Sequence, residues 1–362
     1  MEEKLDLAQI LASHPGERHL VVLHDFPDAD AIASGYAHKL ISAQFGIDVD
    51  IVFSGKISHH QNMALVNVLG NSLDRYREDL DLGRYQAAIL VDHQGTTVDE
   101  IITKLEEAQV PVLLIIDHHQ PQERVKAEFN FIKAVGATAT IYSDFLEQGV
   151  IELDNAHTDH VLITTALMHG ILSDTQGFIR ATPADLKAAA FLSRYRDAEL
   201  LSQIVNQARS KHTMDIIHRA LGNRKIIENY SVAGIGYVRS EDRDTIPQAA
   251  DFLQTEENVH TAIVYGIVEN GEKSEVLVGS LRTSKLTLDP DHFIKDVFGK
   301  DGEGNYFGGG RPMAGGFSIP IGFLSSGPNG EYKTQKWEVY DSQIKHRIFD
   351  KIGVKPGSAE GK

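Results

Sequence analysis

The sequence contains no cysteine and only one tryptophan among its 362 residues. The absence of cysteine excludes disulfide bonds, thiolate metal ligands and a cysteine nucleophile. Long hydrophobic runs are also absent, since apolar stretches such as residues 112–116 are far too short to cross a bilayer. The first ten residues are acidic and amphipathic, unlike a secretory signal. We therefore expect a soluble, cytoplasmic protein.

Basic residues are scarce relative to acidic ones. Lysine and arginine total 35 against 51 aspartates and glutamates, which gives a net charge of −16. Long nucleic acids are bound through many lysines and arginines that neutralise phosphates, so this balance argues against a long duplex as partner. It leaves room for a small phosphate pocket, and carboxylates that hold metal ions would add to the negative charge. The length of the chain favours two domains of about 150 residues or more each.

The first half of the chain alternates short apolar runs with helix-like segments. Four runs bounded by charged or turn residues predict strands at residues 19–23, 49–53, 87–91 and 112–116. Between them, apolar residues recur every four positions, as in Ile32, Tyr36 and Leu40, which predicts helices. Strands that alternate with helices indicate an α/β fold, with a parallel sheet wound with helices on both sides.

The second half predicts a smaller α+β domain. A wholly helical pattern spans about residues 184–229, and strand-like runs resume at residues 231–238, 261–268, 275–281 and 337–340. The last residues, from Lys355 onward, offer no apolar side chain beyond an alanine, which is typical of a disordered tail. We assign residues 1–190 to a metal-binding catalytic domain, 191–229 to connecting helices, 230–345 to a substrate-binding domain and 346–362 to the disordered tail.

Four segments place histidine and aspartate directly after apolar runs. They contain His24, Asp28 and Asp30; Asp92 and His93; Asp117, His118 and His119; and Asp174. Ligands of open parallel sheets bind outside the carboxyl ends of the strands, so the first three segments should meet at one edge. Converging carboxylates repel each other unless cations neutralise them. Imidazole and carboxylate ligands without sulfur suit manganese, magnesium, iron, cobalt or zinc.

This many ligand groups exceeds the need of one ion. A shared carboxylate that bridges two ions about 3.5–4 Å apart is the arrangement of two-metal phosphoester hydrolysis, in which the ion pair activates a water. Taken singly, each residue has a simpler explanation: Asp30 could cap a helix, and Asp174 could cap the turn before Gly177. Four segments on one edge fit that explanation poorly. The pattern therefore predicts a dinuclear metal centre.

The segments HDFPDADAIAS, LVDHQ, IIDHHQP and ILSDTQGF resemble, in order and spacing, the four motifs of the DHH phosphoesterase superfamily. The family is named for the triplet found here at residues 117–119. Two later segments, GSLRTS (279–284) and FGGGRPMAGGF (307–317), resemble the DHH-associated domain of the nanoRNase and RecJ-type branch. The resemblance covers about residues 18–323. It implies a dinuclear, usually manganese, site in a cleft between two domains, with magnesium, cobalt, iron or zinc as alternatives.

The resemblance also implies roles for individual residues. One ion would be held by His24, Asp28 and Asp92, and the other by Asp30, Asp92, His118 and Asp174, with Asp92 as the bridge. The resemblance places His119 against the substrate phosphate or leaving group. Asp117 would orient a ligand imidazole from behind.

Substrate contacts are expected from the second domain, at Arg282, Gly308, Gly309, Gly310 and Arg311. Glycines permit close backbone approach, and a guanidinium can grip a phosphate with two hydrogen bonds or stack on a base. A glycine-rich turn without a binding role is the alternative. The family usually has histidine where this chain has Arg311, so the role of that position stays open.

The function implied by the resemblance is a metal-dependent phosphodiesterase or exonuclease that releases nucleoside monophosphates from short oligonucleotides or dinucleotides. Alternatives within the branch are a cyclic-dinucleotide phosphodiesterase and a 3′-phosphoadenosine 5′-phosphate phosphatase. A nucleotide-binding sensor without turnover is the alternative of another class. The pyrophosphatase branch is disfavoured because its second domain lacks the glycine triplet. No membrane partner is expected, and the oligomeric state stays open, with a homodimer as one alternative.

Overall fold

The computed structural model describes residues 6–57, 60–70, 72–207, 209–269, 274–322, 325 and 332–354. The chain divides into two units, Met1–Ala208 and Arg209–Lys362. The division falls within the segment 191–229 that was expected to connect the domains. None of the helices in the described part of the chain combines the length and the apolar character that crossing a bilayer requires.

The first unit is built on a parallel sheet, as predicted, and the sheet has six strands. Its strands are β1 (Arg18–Val22), β2 (Asp48–Phe53), β3 (Leu73–Arg75), β4 (Ala87–Val91), β5 (Val112–Asp117) and β6 (Phe129–Ile132). They lie in the order β3-β2-β1-β4-β5-β6, and every neighbouring pair is parallel. The four predicted strands correspond to β1, β2, β4 and β5. The prediction missed β3 and β6, the two short strands at the edges of the sheet.

Helices cover both faces of this sheet. They are α1 (Leu7–Leu11), α2 (Ala29–Gln44), α3 (His60–Val68), α4 (Asp99–Glu107), α5 (Thr138–Glu147), α6 (Thr158–Asp174), α7 (Pro183–Leu192) and α8 (Ala198–Val205). Val21 of β1 belongs to the hydrophobic cluster that contains Ile41 of α2, whereas Leu20 belongs to the cluster that contains Ile101 of α4. Burial on both faces explains why the strands read as continuous apolar runs.

The topology of the sheet positions the candidate site. Because β1 lies between β2 and β4, the chain winds to one side of β1 first and then crosses to the other side. Such a reversal leaves a crevice outside the carboxyl ends of the two central strands, where ligands of open α/β sheets bind. His24 follows β1 and Asp92 follows β4, so both residues lie at this crevice.

The second unit is α+β, also as predicted. Its sheet has the order β11-β12-β10-β9-β8-β7, in which β8 and β9 pair in parallel and the other neighbours are antiparallel. The strands are β7 (Lys225–Ile227), β8 (Tyr230–Arg239), β9 (Thr261–Glu269), β10 (Glu275–Thr283), β11 (Gly308–Arg311) and β12 (Ala314–Pro320). The helices are α9 (Lys211–Asn223), α10 (Thr245–Gln254), α11 (Pro290–Phe298) and α12 (Lys333–Lys351).

The carboxyl-terminal region corrects two expectations. Residues 337–340, predicted as a strand, lie within α12, and this helix continues past residue 346, where the tail was expected to begin. The helix extends this far because Ile344 and Ile348 are buried in the hydrophobic cluster of the second unit. Part of the predicted tail, residues 355–362, lies outside the described residues.

The packing of α12 generates a stability prediction. Ile348 is 0% exposed, so Ile348→Ala should destabilise the second unit by about 2–5 kcal/mol through lost burial and a cavity. Trp337 lies in the same helix and is the only tryptophan, so its fluorescence during urea denaturation reports on this unit. The control is Val339→Ala, at a position that is 62% exposed, where a change within about 0.5 kcal/mol is expected. Equal urea concentrations at the midpoint of unfolding for the two variants would contradict the packing of α12.

Candidate metal centre

The predicted ligands of the first unit converge at one edge of the parallel sheet. Asp92 comes directly after β4, and His118 comes directly after β5. His24 lies just beyond the end of β1, and Asp174 is the last residue of α6. Residues as far apart in sequence as Asp30 and His118 therefore lie within ion-pair distance of each other. The contacts arise because the carboxyl ends of parallel strands lie at the same edge of the sheet.

Two aspartates at the start of α2 serve different structural purposes. Asp28 is the N-cap residue, and its Oδ1 accepts hydrogen bonds from the backbone N–H groups of Asp30 (3.0 Å) and Ala31 (3.1 Å). The capping role considered for Asp30 therefore belongs to Asp28. The side chain of Asp30 is buried, and its two oxygens accept hydrogen bonds from the N–H groups of Thr138 (2.6 Å) and Ala139 (2.7 Å). These groups form the first turn of α5, whose positive end stabilises the carboxylate.

Asp92 occupies the centre of the cluster. Its φ of 65° is in the left-handed region, which aspartate tolerates better than most residues with a side chain. Its Oδ1 accepts a hydrogen bond from Thr138 Oγ1 at 2.8 Å and lies 3.5 Å from His118 Nε2. Its Oδ2 lies 3.7 Å from His24 Nε2. The two oxygens of one carboxylate thus face two different imidazoles, which is the arrangement that a bridging ligand requires.

Around Asp92 the side chains form two candidate ligand groups. The ligand atoms of His24, Asp28 and Asp92 lie within 4.8 Å of one another, and so do those of Asp30, His118 and Asp174. In the second group, His118 Nε2 is 3.5 Å from Asp174 Oδ2 and 4.0 Å from Asp30 Oδ2. Two ligands that each lie about 2.0–2.2 Å from a shared ion are at most about 4.4 Å apart. The separations therefore suit a cation between the side chains.

His118 supplies an independent test of fit to a metal ion. Its Nδ1 lies 3.2 Å from the carbonyl oxygen of Val135 and donates a hydrogen bond to it. That bond leaves the lone pair on Nε2, which is buried and has no hydrogen-bond partner among the described residues. An imidazole held by its Nδ1–H, with the other nitrogen aimed at carboxylates, is the usual arrangement of a histidine metal ligand. The donor set fits divalent cations.

The electrostatics of the cluster point the same way. Burial raises the pKa of Asp92 well above its ordinary value, and the charges of Asp30, Asp28 and Asp174 raise it further. Burial, together with the charge of Asp28, raises the pKa of Asp30 to about 7. Burial lowers the pKa of His24 and of His118. Without a metal ion, the surroundings therefore favour neutral carboxyl groups and neutral imidazoles. A bound dication would ionise the carboxyl groups and keep the imidazoles neutral, which is the state in which both bind metals.

Asp117 was expected to orient the imidazole of a metal ligand, but it contacts His119, which is not among the expected ligands. Its Oδ1 accepts hydrogen bonds from His119 Nδ1 (2.8 Å) and from the backbone N–H of His118 (2.8 Å), and its Oδ2 accepts one from Gln94 Nε2 (2.7 Å). It therefore orients the imidazole of His119, whereas that of His118 is fixed by Val135. Burial acts to raise the pKa of Asp117, but hydrogen bonds from His119 and Gln94 outweigh it and lower the pKa to about 2.

His119 lies beside the ligand groups with its side chain 50% exposed. One of its ring nitrogens lies within 4.8 Å of ligand atoms of Asp92 and His118. The hydrogen bond to Asp117 raises its pKa, which favours the protonated ring near neutral pH. The position suits contact with a substrate phosphate.

Sequence reasoning missed Thr138 and Gln94. Thr138 connects Asp30 and Asp92 through its N–H and its hydroxyl, but nothing in its surrounding sequence signals this role. Gln94 was visible in the segment LVDHQ, although only its contact with Asp117 explains its presence.

His93, in the same segment, is buried and uses both ring nitrogens, with Nε2 donating to Val22 O and Nδ1 accepting from Gly95 N. It therefore supports the loop and is not a ligand.

In the second unit the two predicted arginines occupy one row of the sheet. The register pairs Arg311 of β11 with Ala314 of β12, and Ala314 with Arg282 of β10. Directly opposed residues point to the same face of a sheet. Arg282 donates hydrogen bonds from Nε to Asp251 Oδ1 and from Nη1 to Ser280 Oγ, while Arg311 is exposed.

The glycine triplet forms β11, and packing alone requires small residues there. A Cβ on Gly309 would lie 2.7 Å from Asp291 Oδ1, and one on Gly310 would lie 2.9 Å from the backbone nitrogen of Asp291. A Cβ on Gly308 would lie 2.2 Å from the carbonyl oxygen of Gly316 in β12. The glycines thus let this hairpin lie directly on α11, a role that is separate from any contact with substrate.

Comparisons with known proteins agree with this description. Residues 18–171 match the model of the DHH family, N-terminal domain. The chain is 33% identical over 338 residues to an uncharacterised protein of Methanocaldococcus jannaschii, in an alignment that covers 93% of this chain and 64% of that protein. It is 32% identical over 160 residues to a probable manganese-dependent inorganic pyrophosphatase of Streptococcus pyogenes, covering 43% of this chain and 48% of the relative. The chain therefore spans about half to two thirds of the length of these relatives.

Two solved structures share the fold. An exopolyphosphatase-related protein from Bacteroides fragilis superposes with a TM-score of 0.66 at 15% identity, covering 95% of this chain and all of that one. The exonuclease RecJ bound to manganese superposes with a TM-score of 0.51 at 12% identity, covering 96% of this chain and 94% of the other. These likenesses extend over both units and confirm the predicted DHH and RecJ-like fold.

Asp92→Asn tests the electrostatic description of the centre. Burial and three other carboxylates raise the pKa of Asp92, so folding at neutral pH must either bury its charge or bind a proton there. Asparagine removes this cost, and the metal-free variant should be more stable than the parent, by about 2–4 °C in melting temperature for each kcal/mol relieved. Manganese should raise the melting temperature of the parent and leave that of the variant unchanged. The control is Asp99→Asn, at an exposed position on α4, which should behave like the parent. An equal manganese-dependent shift in Asp92→Asn and the parent would contradict the assignment.

Proposed function

We propose that this chain, whose residues 18–171 form a DHH family domain, is a metal-dependent phosphodiesterase that hydrolyses short oligonucleotides or dinucleotides to nucleoside monophosphates. The observation that carries the proposal is the position of Asp92, whose two oxygens face His24 on one side and His118 on the other. A carboxylate in this position, between two ligand groups, is what two-metal hydrolysis of phosphoesters requires.

In this proposal the ligand side chains divide around Asp92. His24, Asp28 and Asp92 would hold one divalent ion. Asp30, His118 and Asp174 would hold the other together with Asp92, whose Oδ1 lies 3.5 Å from His118 Nε2. When bound, such an ion pair lowers the pKa of a water near neutrality and stabilises negative charge on the phosphoryl oxygens. Manganese is the ion proposed, because the pyrophosphatase relative is manganese-dependent and the RecJ structure contains manganese.

His119 is the proposed contact to the reacting phosphate. Its Nδ1–H is fixed on Asp117, so the ring is oriented and its Nε2 is the atom available to the substrate. A raised pKa favours a proton on Nε2, which can then be donated to a phosphate oxygen or to the leaving oxygen. Asp117 acts through His119 and is a positioning residue. Gln94 and the backbone N–H groups around residue 118 hold Asp117 in place.

Charge and composition favour a short nucleotide as substrate. A net charge of −16 opposes binding of a long polyanion, whereas a dinucleotide needs only a few phosphate contacts. In the second unit, Arg282 and Arg311 share a row and offer two guanidiniums for a phosphate or a base. The proposed substrate contacts are these arginines together with Gly308, Gly309 and Gly310.

Product analysis tests the proposal. Purified protein with manganese is offered 5′-phosphorylated di- to pentanucleotides, cyclic di-AMP, 3′-phosphoadenosine 5′-phosphate and pyrophosphate. Monophosphate release from the short oligonucleotides is expected, with a loss of at least about 100-fold in Asp92→Asn because a ligand shared by both ions is removed. His119→Asn should lower turnover while keeping the manganese-dependent rise in melting temperature. The control His157→Asn, at an exposed histidine, should leave turnover unchanged.

The remaining outcomes distinguish the alternatives. Release from pyrophosphate alone would contradict the oligonucleotide proposal and favour the activity named for the Streptococcus pyogenes relative. Turnover confined to cyclic di-AMP or to 3′-phosphoadenosine 5′-phosphate would move the assignment to those substrates. Nucleotide binding without turnover, with manganese shown to be bound, would indicate a sensor.

A further inference from the structure

A second group of histidine and glutamate side chains lies at the opposite end of the parallel sheet, where β1 begins. His14 Nδ1 and His19 Nε2 each lie 2.9 Å from the same oxygen, Oε2 of Glu17. The three ligand atoms lie within 4.8 Å of one another. We propose that His14, Glu17 and His19 form a separate binding site for a divalent transition metal, with Zn²⁺ as the ion that the site fits best.

The local fold brings these three side chains together and fixes them. Glu17 and His19 are two residues apart where the chain enters β1, so their side chains point to the same face. His14 comes from the turn between α1 and β1, which Gly16 closes with a φ of 80°. The N–H of Gly16 donates to Gly46 O at 2.9 Å, and that of Glu17 donates to His14 O at 3.3 Å. Because these hydrogen bonds already fix the backbone, binding of an ion would cost little additional conformational entropy.

The hydrogen bonds among His14, Glu17 and His19 show which hydrogens a metal ion would replace. The side chain of His19 is fully buried, and its Nδ1 has no hydrogen-bond partner among the described residues. Burial acts to raise the pKa of Glu17, but hydrogen bonds from His19 and His14 outweigh it, and the pKa lies below its ordinary value. In the metal-free cluster both imidazole nitrogens therefore donate N–H groups to this carboxylate. A metal ion would replace these two hydrogens once each ring moves its proton to the other nitrogen or releases it to solvent. The rings of His14 and His19 are 5.7 Å apart and inclined by 69°, so they do not stack on each other.

The composition of the site selects zinc over the hard ions. Two imidazoles and one carboxylate form a nitrogen-rich set, which favours zinc and its neighbours, whereas manganese and magnesium prefer oxygen. Three protein ligands leave one position for water in tetrahedral zinc, and ligands about 2.0–2.2 Å from the ion are then about 3.3–3.6 Å apart. The observed 2.9 Å contacts would need to open by only about 0.5 Å to reach this geometry. The dinuclear centre differs in having four carboxylates and two imidazoles.

The competing interpretation is a hydrogen-bonded trio that satisfies itself and binds no ion. In that case Glu17 accepts a hydrogen bond from each histidine, and the three residues tie the start of β1 to the preceding turn. The two interpretations differ in metal content. Neither depends on the proposed activity, because the three residues lie at the end of the sheet opposite Asp92 and His118.

The test is a metal count on the full-length protein. Parent, Glu17→Gln and His14→Asn are saturated with manganese, equilibrated with Zn²⁺ and desalted, and total metal per chain is measured by mass spectrometry. The parent should retain one more equivalent than either variant, while all three keep the same manganese-dependent rise in melting temperature. The matched control, His157→Asn with His160→Asn, removes two neighbouring histidines elsewhere in the first unit and should retain the count of the parent.

Cobalt provides a second readout that the dinuclear centre does not obscure. In the Asp92→Asn background, Co²⁺ should produce the visible absorption of a low-symmetry nitrogen and oxygen site, and adding Glu17→Gln should abolish it. Equal metal counts in the parent and both variants, or unchanged cobalt absorption, would overturn the proposal. If Glu17→Gln does not fold, the metal count of His14→Asn decides whether the site binds an ion. The His14 side chain lies in a turn and is 23% exposed, so its replacement should disturb the fold less.

Discussion

Mutual repulsion among carboxylates at the carboxyl edge of the parallel sheet is the constraint on which the candidate centre depends. Asp30 and Asp92 are both buried there, and Asp28 and Asp174 add their charges. The protein relieves part of this cost internally, since the first turn of α5 donates to Asp30 and Thr138 donates to Asp92. It does not relieve the remainder, because the buried Nε2 of His118 faces the same oxygens with a lone pair. A divalent cation would satisfy all of these groups at once.

That arrangement gives neighbouring histidines different surroundings within a few residues. His118 and His119 are neighbours in sequence, yet a backbone carbonyl fixes the first with its Nε2 toward the carboxylates, whereas the second is fixed by a hydrogen bond to Asp117. The left-handed backbone of Asp92 lets a single carboxylate reach both ligand groups. The fold therefore supplies different roles to adjacent imidazoles by giving each a different hydrogen-bond partner. The cluster at Glu17 shows the opposite case, in which two imidazoles share one carboxylate.

Much of the first unit was predictable because its central strands are buried on both faces. Strands β3 and β6 were not, since they lie at the edges and carry polar residues such as Asp74 and Asn130. The sequence WEVY alternates like a strand, but burial of Ile348 depends on tertiary packing and makes the segment helical. The order of strands and motifs in the sequence was enough to predict the types of ligand residue and their position at the carboxyl edge of the sheet. The partner of Asp117 could not be predicted, because backbone geometry at the end of β5 decides it.

Anomalous diffraction from crystals grown with manganese and measured at the manganese absorption edge tests the central claim most directly. The account predicts two peaks about 3.5–4 Å apart on either side of the Asp92 carboxylate. One should lie against His24 and Asp28, and the other against Asp30, His118 and Asp174. A single peak, or a pair of peaks that Asp92 does not bridge, would contradict it.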